Sequence, residues 1–162
     1  MNVVKRDGTV EQVKFDKISS RIRKQTYGLN EDYVDYFEVS KKVISGLYDG
    51  VTSSELDQLS AETAASMITT HPDYGKLAAR IIITSLYKDV AKEFSVVAKQ
   101  LYEYINPVNN EPAGLIADEV YAVIEKYATE LNAMIVHDRD FNFDYFGYKT
   151  LEDRKSTRLN SS

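Results

Sequence analysis

The chain opens with the stretch VVKRDGTVEQVKFDKISSRI, which occupies residues 3–22. Two valines begin a short strand, Asp7-Gly8 is a strong two-residue turn signal, and the apolar residues that follow are typical of a return strand. We therefore predict a β-hairpin over residues 3–15 with a type I′ turn, which requires positive φ at both central residues. An isolated hairpin is only marginally stable in water, so other elements must pack against it.

Four amphipathic helical patterns follow the hairpin. Asp16 can cap the first helix, which stops near Gly28, and the second helix covers about residues 35–48. Thr52-Ser53-Ser54-Glu55 has the form of a capping box that opens a third helix, which runs to about Thr70. Pro72 suits the first turn of a fourth helix, over about residues 73–93.

Further helices are predicted at about residues 95–105 and at residues 115–135, the latter with one break. The predicted fold class is therefore mainly α (α+β), with an N-terminal β-hairpin over a four-helix bundle and further helices after it. We expect one domain over residues 1–92 and the start of another helical region over residues 93–154. Residues 155–162 are short, polar and unpatterned, and we expect them to be a non-native, disordered tail.

The composition excludes several classes of function. Cysteine is absent from the 162 residues, which excludes a disulfide framework, a thiolate zinc site and a cysteine nucleophile. His71 and His137 lie far apart in the sequence, so we expect no histidine-rich metal site, although carboxylates could still bind a hard cation. We assign no metal ligand and no catalytic residue from the sequence. No signal-peptide core or membrane-spanning run is seen, and no basic groove accompanies the aromatic residues. We therefore expect a cytoplasmic protein that binds neither membrane nor nucleic acid.

Charge is distributed unevenly along the chain. The first 24 residues carry seven basic and three acidic side chains, whereas the remainder carries 13 basic and 22 acidic ones. A basic beginning on an acidic chain indicates a local anion site, although a solvated helix face is an equally open interpretation. The common phosphate-binding loops are absent. An anion site would have to use the hairpin lysines and the helix starts at Asp16-Lys17 and Ser53, where free N–H groups favour phosphate.

Five ordered blocks carry a resemblance to a known family. VVKRDGTVEQVKFDKISSRI, GLYDGVTSSELD and HPDYGKLAARIIITSLYK resemble the ATP-cone domain. LYEYINP and DRDFNFDYFGYKTLEDR resemble the region that joins the cone to the catalytic barrel in eukaryotic-type large subunits of class I ribonucleotide reductases. The resemblance covers about residues 1–154.

The resemblance implies an allosteric site that binds ATP or dATP, with Mg²⁺ accompanying the phosphates. In the family, ATP keeps the enzyme active and dATP shuts it down by changing subunit assembly. Carried over by position, the implied nucleotide-binding residues are Lys5, Arg6, Glu11, Gln12, Val13, Lys14, Phe15, Asp16, Lys17, Ser53, Asp57 and Lys88. Taken alone, most of these charges are equally typical of a solvated strand edge or helix surface.

The same resemblance implies the function of a parent enzyme and its partners. Such an enzyme reduces ribonucleoside diphosphates to deoxyribonucleotides, forms homo-oligomers of its large subunit and receives a radical from a small subunit. The present 162 residues lack the cysteines for that chemistry, so we expect them to be inactive alone. Two alternatives remain open: the cone of a nucleotide-responsive transcriptional regulator, and an interaction module whose nucleotide site has decayed.

Overall fold

The computed structural model describes residues 1–159. Within these residues the chain forms a small sheet, α-helices and one 3₁₀ helix, in agreement with the predicted mainly helical α+β class. The strands are β1 (Asn2–Val4), β2 (Val10–Gln12) and β3 (Val51–Thr52). The helices are α1 (Phe15–Arg23), α2 (Tyr36–Ser45), α3 (Ser53–Ser66), α4 (Asp73–Asp89), α5 (Phe94–Tyr102), α6 (Asp118–Lys126), α7 (Ala128–Met134) and α8 (Tyr145–Leu159), with the 3₁₀ helix at His137–Asn142.

The sheet contains the predicted hairpin and one strand that the sequence did not indicate. β1 and β2 pair antiparallel, with Val3 opposite Glu11. β3 adds to the other side of β1 in parallel, with Val3 opposite Val51, so the strand order is β2-β1-β3. The third strand fixes the hairpin beside the start of α3, because β3 runs directly into that helix.

The hairpin turn differs from the predicted type I′ geometry. Only Gly8 of the two central residues has positive φ, at 82°. The Gly8 N–H donates to the Lys5 carbonyl, and the Lys5 N–H donates to the Thr9 carbonyl. This is the longer hairpin loop, in which a turn is followed by one glycine in the left-handed region. The Asp7 carboxylate accepts a hydrogen bond from the Thr9 N–H at 2.9 Å, and the φ angle of Asp7 is not positive.

Helices α1 to α4 supply the predicted bundle, and their inward faces form the core. Ile22, Val39, Val43, Leu77 and Ile81 are fully buried. Val39 and Val43 lie four positions apart in α2, and Leu77 and Ile81 lie four positions apart in α4, which is the spacing of the buried face of an amphipathic helix. Burying an aliphatic side chain of this size stabilises the fold by roughly 1.5–3 kcal/mol relative to leaving it exposed.

The helix starts show which capping predictions hold. The capping box at α3 is confirmed, because the Thr52 hydroxyl accepts from the Glu55 N–H and the Glu55 carboxylate accepts from the Thr52 N–H. The prediction that Asp16 caps α1 is wrong. Lys14 occupies the N-cap position without a side-chain cap bond, and Asp16 lies within the first turn. An acidic residue still stabilises a helix there through the helix dipole.

The chain divides into two compact units. The first unit contains residues Met1–Leu86 together with the residues from Arg139 onward, and the second contains Tyr87–Asp138. The division therefore lies inside α4, a few residues before residue 92, where we expected the first domain to end. The residues from Arg139 belong to the first unit, although we expected them in the second region. Within the second unit, Tyr102 stacks on Tyr121 with ring centroids 4.1 Å apart, and the predicted break in the 115–135 helix occurs at Tyr127.

The C-terminal helix α8 was not predicted. Tyr145 at its start is buried, and burial raises the pKa of its phenol. The helix continues to Leu159, and the expectation of a non-native, disordered tail from Lys155 stays a prediction. The rest of the expected tail, residues 160–162, lies outside the described residues. No helix of the described part is long and apolar enough to cross a membrane.

Candidate functional site

A cavity of about 170 Å³ opens between the hairpin, α1 and the start of α3. Eight of the residues predicted for the site line it: Lys5, Glu11, Gln12, Val13, Lys14, Lys17, Ser53 and Asp57. The hairpin brings the first five together, α1 adds Lys17, and β3 brings the start of α3 beside β1. The sequence analysis did not assign five further lining residues: Val3, Ile18, Arg21, Leu56 and Ser60.

Glu11 bridges two lysines at one side of the cavity. Its carboxylate accepts a hydrogen bond from the Lys5 ammonium and lies 3.2 Å from the Lys17 Nζ. The hydrogen bond from Lys5, and then that from Lys17, hold the pKa of Glu11 below its usual value of 4.5. All three side chains are at least 39% exposed, so their pairing is open to exchange with ions from solvent.

Asp57 is the centre of a second and better buried group of charges. Only 8% of its side chain is exposed. One carboxylate oxygen lies 3.1 Å from Arg21 Nε, and the other lies 3.7 Å from Arg6 Nη2. Because a buried carboxylate requires compensating charge and hydrogen bonds, these two guanidinium groups offset the cost of burying Asp57.

The same two arginines also form hydrogen bonds with side chains of α4. Arg6 Nη2 donates to the Ser85 hydroxyl at 2.8 Å, and Arg21 Nη2 donates to the Thr84 hydroxyl at 2.8 Å. The hairpin loop and α1 are thereby both tied to α3 and α4. This network fixes the cavity wall, since a shift of any of the four elements would break at least one charge-assisted bond.

Ser53 occupies the first helical position of α3, directly after the Thr52 cap. Its hydroxyl donates to the Val4 carbonyl at 3.3 Å, which joins the helix start to β1. Ser53, Leu56 and Asp57 line the cavity, so the start of this 14-residue helix, with its positive dipole end, forms part of the cavity wall.

A comparison with known protein families identifies the domain that holds this cavity. The family model described as "ATP cone domain" matches residues 1–89, which include every residue of the cavity. The chain belongs to the ATP cone domain family. The match therefore ends at the last residue of α4 and covers the hairpin and the four-helix bundle.

Similarity to curated proteins extends beyond the cone. The chain is 52% identical over 152 residues to a ribonucleoside-diphosphate reductase large chain of Schizosaccharomyces pombe, and that match covers 94% of the chain. It is 56% identical over 158 residues to the large subunit from Caenorhabditis elegans and 49% identical over 160 residues to that from Danio rerio. The chain spans about one fifth of the length of these relatives, at 19%, 20% and 20% respectively.

Four of the residues predicted for the cone's site do not line the cavity. Arg6 is connected to it through Asp57, Phe15 is half-exposed at the first position of α1, and Asp16 is exposed in the first turn. Lys88 belongs to the second unit, so its role in the cone's site stays a prediction. Of the residues that were missed, Arg21 carried a signal, because it follows Lys17 by four positions and so shares its helix face.

The composition of the cavity suits an anion attached to an apolar group. Four basic side chains and two acidic ones line it, which leaves a net positive charge. Val3, Val13, Ile18 and Leu56 supply the apolar part. Pockets that bury a whole drug-sized ligand usually measure roughly 300–1,000 Å³, so the enclosed part of the cone's cavity fits only a portion of a nucleotide.

No group of three or more His, Asp or Glu side chains in the described part could hold a metal ion by itself. A larger depression of about 810 Å³ lies at the C-terminal end of α1 and in the loop before α2, but it contains none of the predicted site residues. Most of the predicted site residues thus line the smaller cavity, together with Arg21 and the start of α3.

Proposed function

We propose that the cone binds ATP or dATP in the cavity between the hairpin and α3. The phosphates would lie against Lys5, Lys17 and the start of α3, and the apolar side chains would contact the base or sugar. The observation that carries the proposal is the net positive, partly apolar cavity inside a domain of the ATP cone family. Mg²⁺ would enter with the nucleotide, coordinated by its phosphates.

We further propose that this binding is allosteric and controls a ribonucleoside-diphosphate reductase. In the whole protein, the large subunit would reduce ribonucleoside diphosphates in the cytoplasm, together with other large subunits and a radical-bearing small subunit. The support is the high identity to reductase large subunits over nearly the whole chain, past the end of the cone. The present residues contain no cysteine, so they would not reduce a ribonucleotide by themselves.

The two alternative functions receive less support. A transcriptional regulator that uses the cone would carry a cysteine-rich zinc ribbon, and its similarity to reductases would end with the cone. A decayed interaction module would have lost the basic side chains, whereas Lys5, Lys14, Lys17 and Arg21 all line the cavity.

Isothermal titration calorimetry of the purified chain with MgATP and with dATP tests the proposal. We expect saturable heat for at least one nucleotide, and Lys5→Ala should weaken binding by roughly tenfold to a hundredfold, since a charge-assisted hydrogen bond is worth about 1.5–3 kcal/mol. Lys42→Ala, on the exposed face of α2, is the matched control. A folded sample that binds neither nucleotide would overturn the proposed function.

Lys88→Ala is tested in the same way, because its part in the site rests on the family resemblance. We expect a loss of affinity similar to that of Lys5→Ala, and coupling between the two in a double-mutant cycle. Normal binding by Lys88→Ala would remove that residue from the site and leave the proposed function standing.

A further inference from the structure

Arg21 occupies a position in the cavity that the sequence analysis did not assign. Its side chain is one-quarter exposed and lies on the same face of α1 as Lys17, one turn further into the fold. Lys17 is 63% exposed, so its ammonium, which pairs with Glu11, is accessible to water. Arg21 is therefore the more deeply placed cation of that face.

The orientation of Arg21 is fixed by two different elements. Nε donates to the buried Asp57 carboxylate of α3, and Nη2 donates to the Thr84 hydroxyl of α4. Thr84 is itself held, because its hydroxyl donates to the Arg80 carbonyl at 2.6 Å. Two of the three guanidinium nitrogens are thus occupied, and Nη1 makes no hydrogen bond within the described residues.

We infer that Arg21 is an anion-binding residue of the cavity, held ready by Asp57 and Thr84 so that Nη1 and the outer edge of Nη2 can donate to a phosphate. This inference rests on the proposed function, since it takes the nucleotide's phosphates as the anion. Asp57 acts through Arg21 and is a positioning residue. A guanidinium that is fixed before binding loses little side-chain entropy when the ligand arrives, unlike the exposed lysines.

The competing explanation is that Arg21 only ties α1 to α3 and α4. That role would need the two bonds to Asp57 and Thr84 but would give no reason for Arg21 to line a net positive cavity beside Lys5 and Lys17. The two explanations differ in what they predict for ligand affinity in a folded sample.

The test compares Arg21→Gln and Arg21→Lys with Arg23→Gln, an exposed arginine of the same helix that does not line this cavity. MgATP and inorganic tripolyphosphate are titrated calorimetrically into each variant, after circular dichroism has shown that it is folded. Arg21→Gln should weaken binding of both ligands by about tenfold to a hundredfold. Arg21→Lys keeps the charge without the planar fork and should fall between wild type and Arg21→Gln, whereas Arg23→Gln should bind as wild type does.

Asp57→Asn separates positioning from direct contact. If Asp57 acts through Arg21, the affinity lost in Asp57→Asn and in Arg21→Gln will be less than additive in the double variant. Wild-type affinity in folded Arg21→Gln or Arg21→Lys would overturn the inference even if both melt at lower temperature. Failure of the wild-type chain to bind either ligand would instead overturn the proposed function, so the two failures are distinguishable.

Discussion

Replacing Asp57 with asparagine should lower the stability of the first unit by about 2 kcal/mol. The substitution keeps the shape of the side chain and removes the charge that Arg21 and Arg6 share at 3.1 and 3.7 Å. Removing one partner of a fully buried ion pair costs about 3–5 kcal/mol. Both guanidinium groups here stay about one-quarter exposed, so water can hydrate them and the cost falls below that range.

The magnitude follows from the bonds that are lost. A hydrogen bond to a charged group contributes about 1.5–3 kcal/mol, and the amide oxygen introduced by the substitution would retain part of the bond to Arg21. For a chain of this length, 1 kcal/mol corresponds to a shift in Tm of about 2–4 °C, so we expect a decrease of about 4–8 °C. Because Asp57 is buried, the decrease should persist in high salt, which screens exposed pairs far more than buried ones.

The assay is thermal and urea unfolding followed by circular dichroism, without nucleotide, in about 0.1 M and 0.5 M NaCl. Asp32→Asn, an exposed carboxylate in the loop before α2, is the matched control and should change stability by less than about 0.5 kcal/mol. Wild-type stability in Asp57→Asn, or an increase, would refute the reasoning. It would mean that the cost of desolvating Asp57 equals or exceeds the attraction of the two arginines.

Two further changes test local features of the same unit. Thr52→Ala removes the capping box of α3 and should cost about 1 kcal/mol in thermal unfolding, while Ser54→Ala, its exposed neighbour, should cost much less. Asp73→Asn tests pH dependence: the hydrogen bond from Lys76 holds the pKa of Asp73 below its usual value of 3.8, so its contribution is present above that pH and lost as the pH falls through the lower folded value. Melting from about pH 6 to 3 should therefore show a smaller loss of Tm in Asp73→Asn than in wild type, and parallel curves would contradict this assignment.

The elements that sequence reasoning found are those whose signals are local. The hairpin, the Thr52 capping box and the helices of the bundle each depend on residues within a few positions of one another. The type I′ turn was wrong because a single glycine supports two loop lengths, and only the pairing of Val4 with Val10 decides between them. β3 was missed because it has two residues, and its parallel partner lies almost 50 positions earlier.

In the candidate site too, residues close together in the sequence could be grouped in advance, whereas contacts between distant residues could not. Glu11, Lys14 and Lys17 lie within seven positions of each other, so a hairpin followed directly by a helix is enough to bring them together. The spacing of four positions from Lys17 places Arg21 on the same helix face, but its fixed orientation is seen only with its partner Asp57, 36 positions later, in place. Helix α8 was missed because its start is aromatic on several faces, and it lacks the single apolar stripe that identifies an amphipathic helix.

The difference in burial between Glu11 and Asp57 indicates two different roles for the acids of the cavity. Glu11 is 41% exposed and pairs with both Lys5 and Lys17, which reduces the repulsion between the two lysines. An arriving phosphate can take its place, since an exposed pair has little net stability to lose. Asp57 is 8% exposed, and a phosphate that displaced it from Arg21 would leave a buried charge without compensation. A nucleotide phosphate would therefore replace Glu11 as the partner of the lysines. It would bind beside the ion pair of Asp57 and Arg21 without breaking that pair. Because such a ligand binds only when the hairpin, α1 and α3 are assembled, it would stabilise the native first unit by about 2.7 kcal/mol at a concentration of roughly 100 times its Kd.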